Sequence, residues 1–164
     1  MKEIESIKDK IQPLAPHAPY SEEEVRILRG EICPYCGRPT ELIDSAEIYN
    51  GVSYGNMYIC RPCQAYVGCY NLTKKSLGRL ADKQLRAAKN RAHHFFDQLW
   101  KRKIMQRPVA YKFLSVMMGT PEEFTHIGMY NEEQCERVVQ VSICLLEERG
   151  KEPYPYEKEN EEDK

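Results

Sequence analysis

The chain has 164 residues, of which 41% are hydrophobic and 30% are charged, and its formal net charge is -1. That length suits one domain of ordinary size and excludes a large multidomain enzyme, while the apolar fraction excludes a disordered chain. No stretch approaches the roughly 18 apolar residues of a membrane span, and Met1 is followed by a polar run where a signal peptide would have its apolar core. The composition therefore predicts a folded cytoplasmic protein with no membrane association.

Prolines divide residues 1–31 into two short segments. A helix is expected over residues 2–11. A second helix is expected from Ser21 toward Leu28, because Glu24 follows Ser21 at the spacing of a capping box. We interpret this region as a lead segment ahead of the main fold.

Residues 32–72 are rich in β-branched residues, tyrosine and turn signals, which indicates small antiparallel strands. The expected strands are 40–43, 46–49, 52–60 and 65–67. Asn50 and Gly51 lie between two of these runs, and an Asn-Gly pair in that position is a strong hairpin signal.

The pattern changes to helix in residues 73–149, where three helices are expected. The first has Asp82 placed to accept hydrogen bonds from its free amides, followed by apolar residues at steps of three and four. These apolar residues form one stripe, made of Ala81, Leu85, Ala88, Ala92, Phe96 and Leu99.

Two further helices and a tail complete the chain. The second helix is predicted from Pro108, which a first turn tolerates, to a stop at Gly119. The third is predicted to begin near Asn131. Residues 150–164 have no periodicity and are predicted to be an acidic mobile tail.

Four of the seven cysteines form two CxxC pairs, Cys33 with Cys36 and Cys60 with Cys63, separated by 23 residues. Zn²⁺ favours four ligands in a tetrahedron and binds thiolates strongly, and each CxxC turn offers two sulfurs to one ion. Gly37 permits the positive-φ turn that such knuckles need. The spacing predicts a four-cysteine zinc site, with iron as the alternative metal. A closed four-sulfur shell has no open position for a substrate, so the ion is expected to be structural.

These elements together predict an α+β protein, a zinc ribbon over residues 32–72 packed on a three-helix body. The ribbon has a small apolar set, so its fold is expected to depend on the ion. Apparent binding free energies of structural zinc are about 10–16 kcal/mol, and a chelator should therefore unfold this part first. No organic cofactor is expected.

The other cysteines are more simply explained by packing than by chemistry. Cys69 is expected to be a small apolar residue under the ribbon, with replacement of one metal ligand as the alternative. Cys135 lies at core spacing on the third helix, and Cys144 is left unassigned.

Histidines near a carboxylate raise a catalytic alternative. His93 precedes Asp97 by four residues, a pairing that can act in acid-base chemistry. His126 lies in a turn between helices and is interpreted as a residue that hydrogen-bonds the backbone. Because the sequence places no nucleophile near them, an enzyme is the least favoured reading of this chain, and no catalytic residue is assigned.

Positive charge is concentrated in residues 73–112, which carry twelve lysines and arginines against Asp82 and Asp97, a net charge of +10. Charged helix faces are common in soluble proteins, but this one lacks acidic partners nearby, and several cations on one surface suit a phosphate backbone. The residues predicted to contact nucleic acid are Arg79, Lys83, Arg86, Lys101, Arg102 and Lys103.

Several motifs occur together in a fixed order. They are Cys33-Pro-Tyr-Cys36-Gly37, Tyr54-Gly55, Cys60-Arg-Pro-Cys63, Ala65 to Cys69, Leu80-Ala81-Asp82, Leu85-Arg86, Ala92-His93, Phe96-Asp97, Leu99 to Lys103, His126 to Met129, Cys135 and Val138-Val139. In this order they resemble a zinc-finger-containing domain family of bacteria and their phages, over residues 32–142. The resemblance implies a zinc-binding module with an attached helical region and a phage or prophage setting, and it implies no reaction. Where the family has a histidine after the Gly-Cys pair, this chain has Tyr70, which favours the four-cysteine site.

Three functions follow, in order of preference. The first is a non-enzymatic zinc-ribbon module, in the host cytoplasm or in a virion, that contacts nucleic acid through the basic helix. The second is a protein-interaction or virion structural component that docks on a protein partner. The third is an enzyme that depends on zinc or on histidine.

Overall fold

A three-stranded antiparallel sheet and five α-helices form the fold in the computed structural model, which describes residues 1–157. The elements are α1 (Lys2–Glu5), α2 (Glu22–Leu28), β1 (Glu41–Asp44), β2 (Asn56–Cys60), β3 (Ala65–Gly68), α3 (Lys83–Lys101), α4 (Arg107–Met118) and α5 (Glu132–Glu148). The predicted α+β class is therefore confirmed. None of the helices within residues 1–157 combines the length and apolar character that a membrane crossing requires.

The sheet has the order β1-β2-β3, and both neighbouring pairs are antiparallel. The predicted strand at 46–49 is wrong, because a 3₁₀ turn occupies Ser45–Glu47. Local polar bonds hold this turn: the Asp44 carboxylate accepts the Ala46 amide, and the Ser45 hydroxyl accepts the Tyr54 amide. Residues 52–55 belong to the same loop, so the second strand is shorter than predicted.

The capping residues chosen from the sequence begin and end the helices as expected. Ser21 and Glu24 form the predicted capping box at α2, and the Asp82 carboxylate accepts the Leu85 amide at the start of α3. Asn131 forms a second capping box at α5. Gly119 ends α4 in the left-handed conformation, with a φ of 68°.

Helices α3, α4 and α5 share the main hydrophobic core, in which Phe96, Phe113 and Leu145 are fully buried. Burying a side chain of this size contributes about 1.5–3 kcal/mol. Ile7 from the N-terminal segment is buried in the same core, so the region interpreted as a lead segment packs on the helical body. The ribbon has separate, smaller clusters, one of which contains Cys33 and Cys60.

The C-terminal segment lies along α3 as far as the structure describes it. The Gln98 side chain makes two hydrogen bonds to the backbone of Tyr154. It accepts one from the Tyr154 amide at 3.0 Å and donates one to the Tyr154 carbonyl at 3.3 Å. The Arg102 guanidinium lies 3.8 Å from the centre of the Tyr154 ring and donates to the Glu152 carbonyl. These contacts differ from the mobile tail expected over 150–164, of which residues 158–164 lie outside the described part.

Candidate functional site

The first cysteine knuckle is a tight loop just before β1. The Gly37 amide donates to the Cys33 carbonyl and the Cys33 amide donates to the Arg38 carbonyl, both at 2.9 Å. Gly37 has a φ of 76°, a conformation that favours glycine, as predicted from its position after Cys36.

The second knuckle is the turn that joins β2 to β3. Cys60 is the last residue of β2 and pairs with Ala65 in the ladder, which leaves Cys63 in the turn between them. Gln64 closes this turn with a φ of 52°. The pairing of Glu41 with Ile59 brings the turn beside the first knuckle.

The four sulfurs of Cys33, Cys36, Cys60 and Cys63 lie within 4.8 Å of one another, and the Cys36 and Cys60 sulfurs are 3.6 Å apart. Tetrahedral bonds of about 2.3 Å from Zn²⁺ to sulfur require sulfurs about 3.8 Å apart. The arrangement therefore fits one ion after small adjustments. Cys33 and Cys60 are buried and Cys36 is exposed, so the cluster sits at the ribbon surface with one side covered.

Three thiols of this cluster have shifted pKa values. The Arg38 amide lowers the pKa of Cys36 to about 7, whereas burial raises the pKa of Cys33. Donation to Cys36 raises the pKa of Cys63 to about 12. A divalent cation supplies the charge that four thiolates need, so the donor set is suited to a soft divalent metal.

A hydrogen bond connects the cysteine cluster directly to the start of α3. The hydroxyl of Tyr35, which lies between Cys33 and Cys36, accepts the Asp82 amide at 3.1 Å. Tyr66 of β3 also exchanges two backbone hydrogen bonds with Ala81, at 3.0 and 3.1 Å. The segment before α3 therefore continues the sheet as a short bridge beside β3.

Two cysteine knuckles on a small antiparallel sheet define a zinc-binding module of the ribbon type, here joined to a helical body. Residues 29–144 match the zinc-finger-containing domain family, and the chain belongs to this family. No curated protein and no solved structure shows significant similarity to the chain.

The other cysteines lie outside the four-sulfur cluster. Cys69 follows β3 and is half-buried, and burial raises its pKa. Cys135 is buried in the helical core as predicted. Cys144 packs at the edge of the same core, which accounts for the residue that the sequence left unassigned.

A cleft of about 1210 Å³ separates the sheet from the helical body. Its walls come from β2 and β3 with the loop before β2, the first half of α3, the start of α4, the turn at Ile127–Met129 and the first half of α5. The cleft lining includes six tyrosines, Tyr49, Tyr54, Tyr66, Tyr70, Tyr111 and Tyr156. None of the four clustered cysteines lines it, so an ion held by them does not face the cleft.

Cations line this cleft, and they are Lys83, Arg86, Lys89, Arg91 and Arg107. One carboxylate, that of Glu136, occurs among the described lining residues, and it is paired with Arg91. The cleft wall is therefore electropositive. Sequence reasoning missed Arg107 and the tyrosines, because they come from separate segments that only the tertiary fold brings together.

The six predicted nucleic-acid contacts divide into three environments. Arg79 is mostly buried, and burial lowers the pKa of its guanidinium, so it is poorly placed to meet a phosphate. Lys83 and Arg86 line the cleft at the first turn of α3. The remaining three, Lys101, Arg102 and Lys103, lie at the opposite end of α3.

The cations at that far end have acidic or backbone neighbours. Lys101 is 4.0 Å from an Asp97 oxygen, and Arg102 donates to the Glu152 carbonyl. The basic helix is therefore not one uninterrupted stripe.

Both histidines of the catalytic alternative border the cleft. A ring nitrogen of His93 lies 3.6 Å from the Asp97 carboxylate. Burial, with Lys75 and Arg107 nearby, lowers the pKa of His126 and so disfavours its charged form in the cleft.

Lys89 is a buried amine in this wall, and Lys89→Met is expected to stabilise the fold near neutral pH by about 1–3 kcal/mol. Burial lowers its pKa from 10.5 to about 8. The cost of burying the charged amine is fully present below pH 8 and disappears as the pH rises through 10.5. The gain should therefore be largest near pH 7 and shrink toward pH 10.

Urea unfolding of the zinc-loaded protein at several pH values measures this difference in the free energy of unfolding. Lys83→Met, which removes a lysine at an exposed position of the same helix, is the control. A gain from Lys89→Met that stays constant between pH 7 and pH 10 would contradict the explanation.

Proposed function

We propose that the protein is a zinc-stabilised module that binds nucleic acid through the cationic cleft, with Zn²⁺ held by Cys33, Cys36, Cys60 and Cys63. The ion has a structural role, because four sulfurs complete its shell. When bound, it fixes the two knuckles against each other and holds the ribbon wall of the cleft.

The single observation that carries the nucleic-acid proposal is the charge of the cleft. Lys83, Arg86 and Arg107 line it, in addition to Arg91, which neutralises the one carboxylate described there, and to Lys89, whose amine is buried. Phosphate groups with fixed spacing are the polyanion that such a surface attracts most strongly. The cations of Lys83 and Arg107 are well placed for this, since both lie in the first turn of a helix, where the helix dipole also favours anions.

Fluorescence anisotropy with mixed DNA and RNA at two salt concentrations tests the proposal. Lys83→Glu with Arg107→Glu is expected to weaken binding by at least tenfold and to reduce the slope of log affinity against log salt by about 2. A glutamate is favourable in a helix first turn, so the double variant should fold normally.

Lys101→Glu with Lys103→Glu is the matched control, because it makes the same charge change at the far end of α3. A smaller loss than that of the cleft variant supports the cleft as the contact surface. An equal or larger loss of affinity assigns the contact to the far end of α3 and overturns its assignment to the cleft. Failure of the unmodified protein to bind at low salt overturns the nucleic-acid function itself.

A protein partner is the second candidate, and exposed apolar side chains on the ribbon loops favour it. Leu72 is 93% exposed and Val52 is 52% exposed. Leu77, beside the cleft, is also exposed. If this candidate is correct, Leu72→Ser should abolish partner binding, and nucleic acid should not compete with that partner.

A further inference from the structure

We infer that the cleft takes single-stranded rather than duplex nucleic acid, with unpaired bases stacked on tyrosine rings along the ribbon wall. This inference rests on the proposed function and specifies the ligand of the same cleft.

Tyrosines and cations lie next to one another in this cleft. The Arg86 guanidinium lies 4.1 Å from the centre of the Tyr66 ring. The Lys75 amine lies 5.5 Å from the centre of the ring of Tyr70, another lining residue. These pairs place positive charge for a phosphate beside aromatic rings, and the exposed rings of the cleft provide the surface for a base. Grooves that bind single strands without sequence preference combine these two features.

Two of these rings have open surface for stacking. Tyr54 is 74% exposed and Tyr70 is 41% exposed. Tyr49 supports Tyr54 from the side in an edge contact with centres 5.3 Å apart. A ring that is exposed and laterally supported is a preformed platform, so stacking a base on it orders few additional groups.

The position of α3 argues against duplex binding. A helix reads duplex DNA by entering the major groove, which requires a protruding helix surface. The cationic surface of α3 instead forms the recessed wall of a cleft that the sheet faces. Arg86 is half-buried there, with its guanidinium bonded to the Ala81 carbonyl at 2.7 Å. A flexible strand can enter this cleft, whereas a duplex would meet its edges first.

The size of the cleft also suits an extended ligand. Pockets for small molecules enclose about 300–1,000 Å³, and this cleft of about 1210 Å³ is larger. Its walls come from both the ribbon and the helical body, so a bound strand would contact both parts of the protein.

The experiment compares a labelled single strand with a hairpin duplex of the same composition, each titrated with zinc-loaded protein at low salt. Single strands are expected to bind at least tenfold more tightly than the duplex. Tyr54→Leu with Tyr70→Leu should lower single-strand affinity by at least tenfold, since base stacking contributes about 1–3 kcal/mol per base. Tyr54→Phe with Tyr70→Phe should keep the affinity, because the ring surface and not the hydroxyl makes the contact.

Tyr154→Leu is the matched control, since Tyr154 is an exposed tyrosine outside the cleft lining. Equal binding of duplex and single strand with no effect of the leucine variants would overturn the stacking inference and leave the proposed function intact. No binding of either ligand by folded, zinc-loaded protein would overturn the proposed function as well, in favour of a protein partner.

Discussion

Cys60→Ser is expected to remove the metal and unfold the ribbon while the helical body stays folded. Cys60 is buried, and its sulfur lies 3.6 Å from that of Cys36 within the four-cysteine cluster. Three remaining sulfurs bind the ion far more weakly, and structural zinc contributes about 10–16 kcal/mol of apparent binding free energy to such modules. The small apolar clusters of the ribbon cannot replace a contribution of that size.

Metal analysis and circular dichroism test this prediction together. The unmodified protein should contain one zinc per chain, and Cys60→Ser should contain almost none. The helical signal should persist in the variant because α3, α4 and α5 form their core with each other and not with the ribbon. A strong chelator should reproduce both effects.

Cys69→Ser is the control, because Cys69 is a half-buried cysteine outside the cluster. It should retain the metal. Full zinc content in Cys60→Ser, or loss of zinc in Cys69→Ser, would contradict the assignment of the four ligands.

Gly78→Ala is expected to destabilise the protein by at least about 3 kcal/mol. Gly78 lies where the segment leading to α3 crosses the turn at Ile127–Met129. A Cβ atom at this position would lie 2.0 Å from the Gly128 carbonyl oxygen, and that oxygen accepts the Arg79 amide. Because the clash is with backbone, no side-chain rotation relieves it, and the two segments must separate.

Urea unfolding of zinc-loaded protein measures the effect, with Gly51→Ala as the matched control. Gly51 also has a positive φ, 87°, but a Cβ atom there would have no neighbour within 4 Å. The control should therefore show the conformational cost alone, about 1 kcal/mol. If the two variants lose similar amounts of unfolding free energy, the backbone clash at Gly78 does not explain the effect of Gly78→Ala.

Local signals in the sequence predicted the parts of the fold that local chemistry determines. The knuckles follow from CxxC spacing with Gly37, and the helix starts follow from Ser21, Asp82 and Asn131, because each capping bond spans only three residues. The expected α+β class followed from the change of periodicity between the strand and helix regions.

Contacts between distant segments could not be predicted in the same way. Tyr154 lies on α3 through bonds from its backbone to Gln98, and backbone bonds leave no pattern in side-chain type. Arg79 has the composition of a surface residue, yet the fold buries it near Tyr35 and Cys135. The prediction of a strand over 46–49 was wrong for a different reason. The Asp44 carboxylate accepts the Ala46 amide, and this local bond starts a turn.

The cleft is the clearest example of a feature that local sequence signals could not predict. Tyr66, Arg107 and His126 are 60 positions apart in the chain from first to last, and no short-range spacing in the sequence links them. Charge counting located the basic region, but it could not show which cations face the ribbon.

The bond between the Tyr35 hydroxyl and the Asp82 amide connects the cysteine cluster to a helix that lines the cleft. Tyr35 belongs to a metal knuckle, and Asp82 fixes the first turn of α3, which carries Lys83 and Arg86. If the ion holds α3 in its binding position, thermodynamic reciprocity requires that a ligand in the cleft strengthen the binding of the ion by the same factor. Such a protein would keep its metal best while its cleft is occupied.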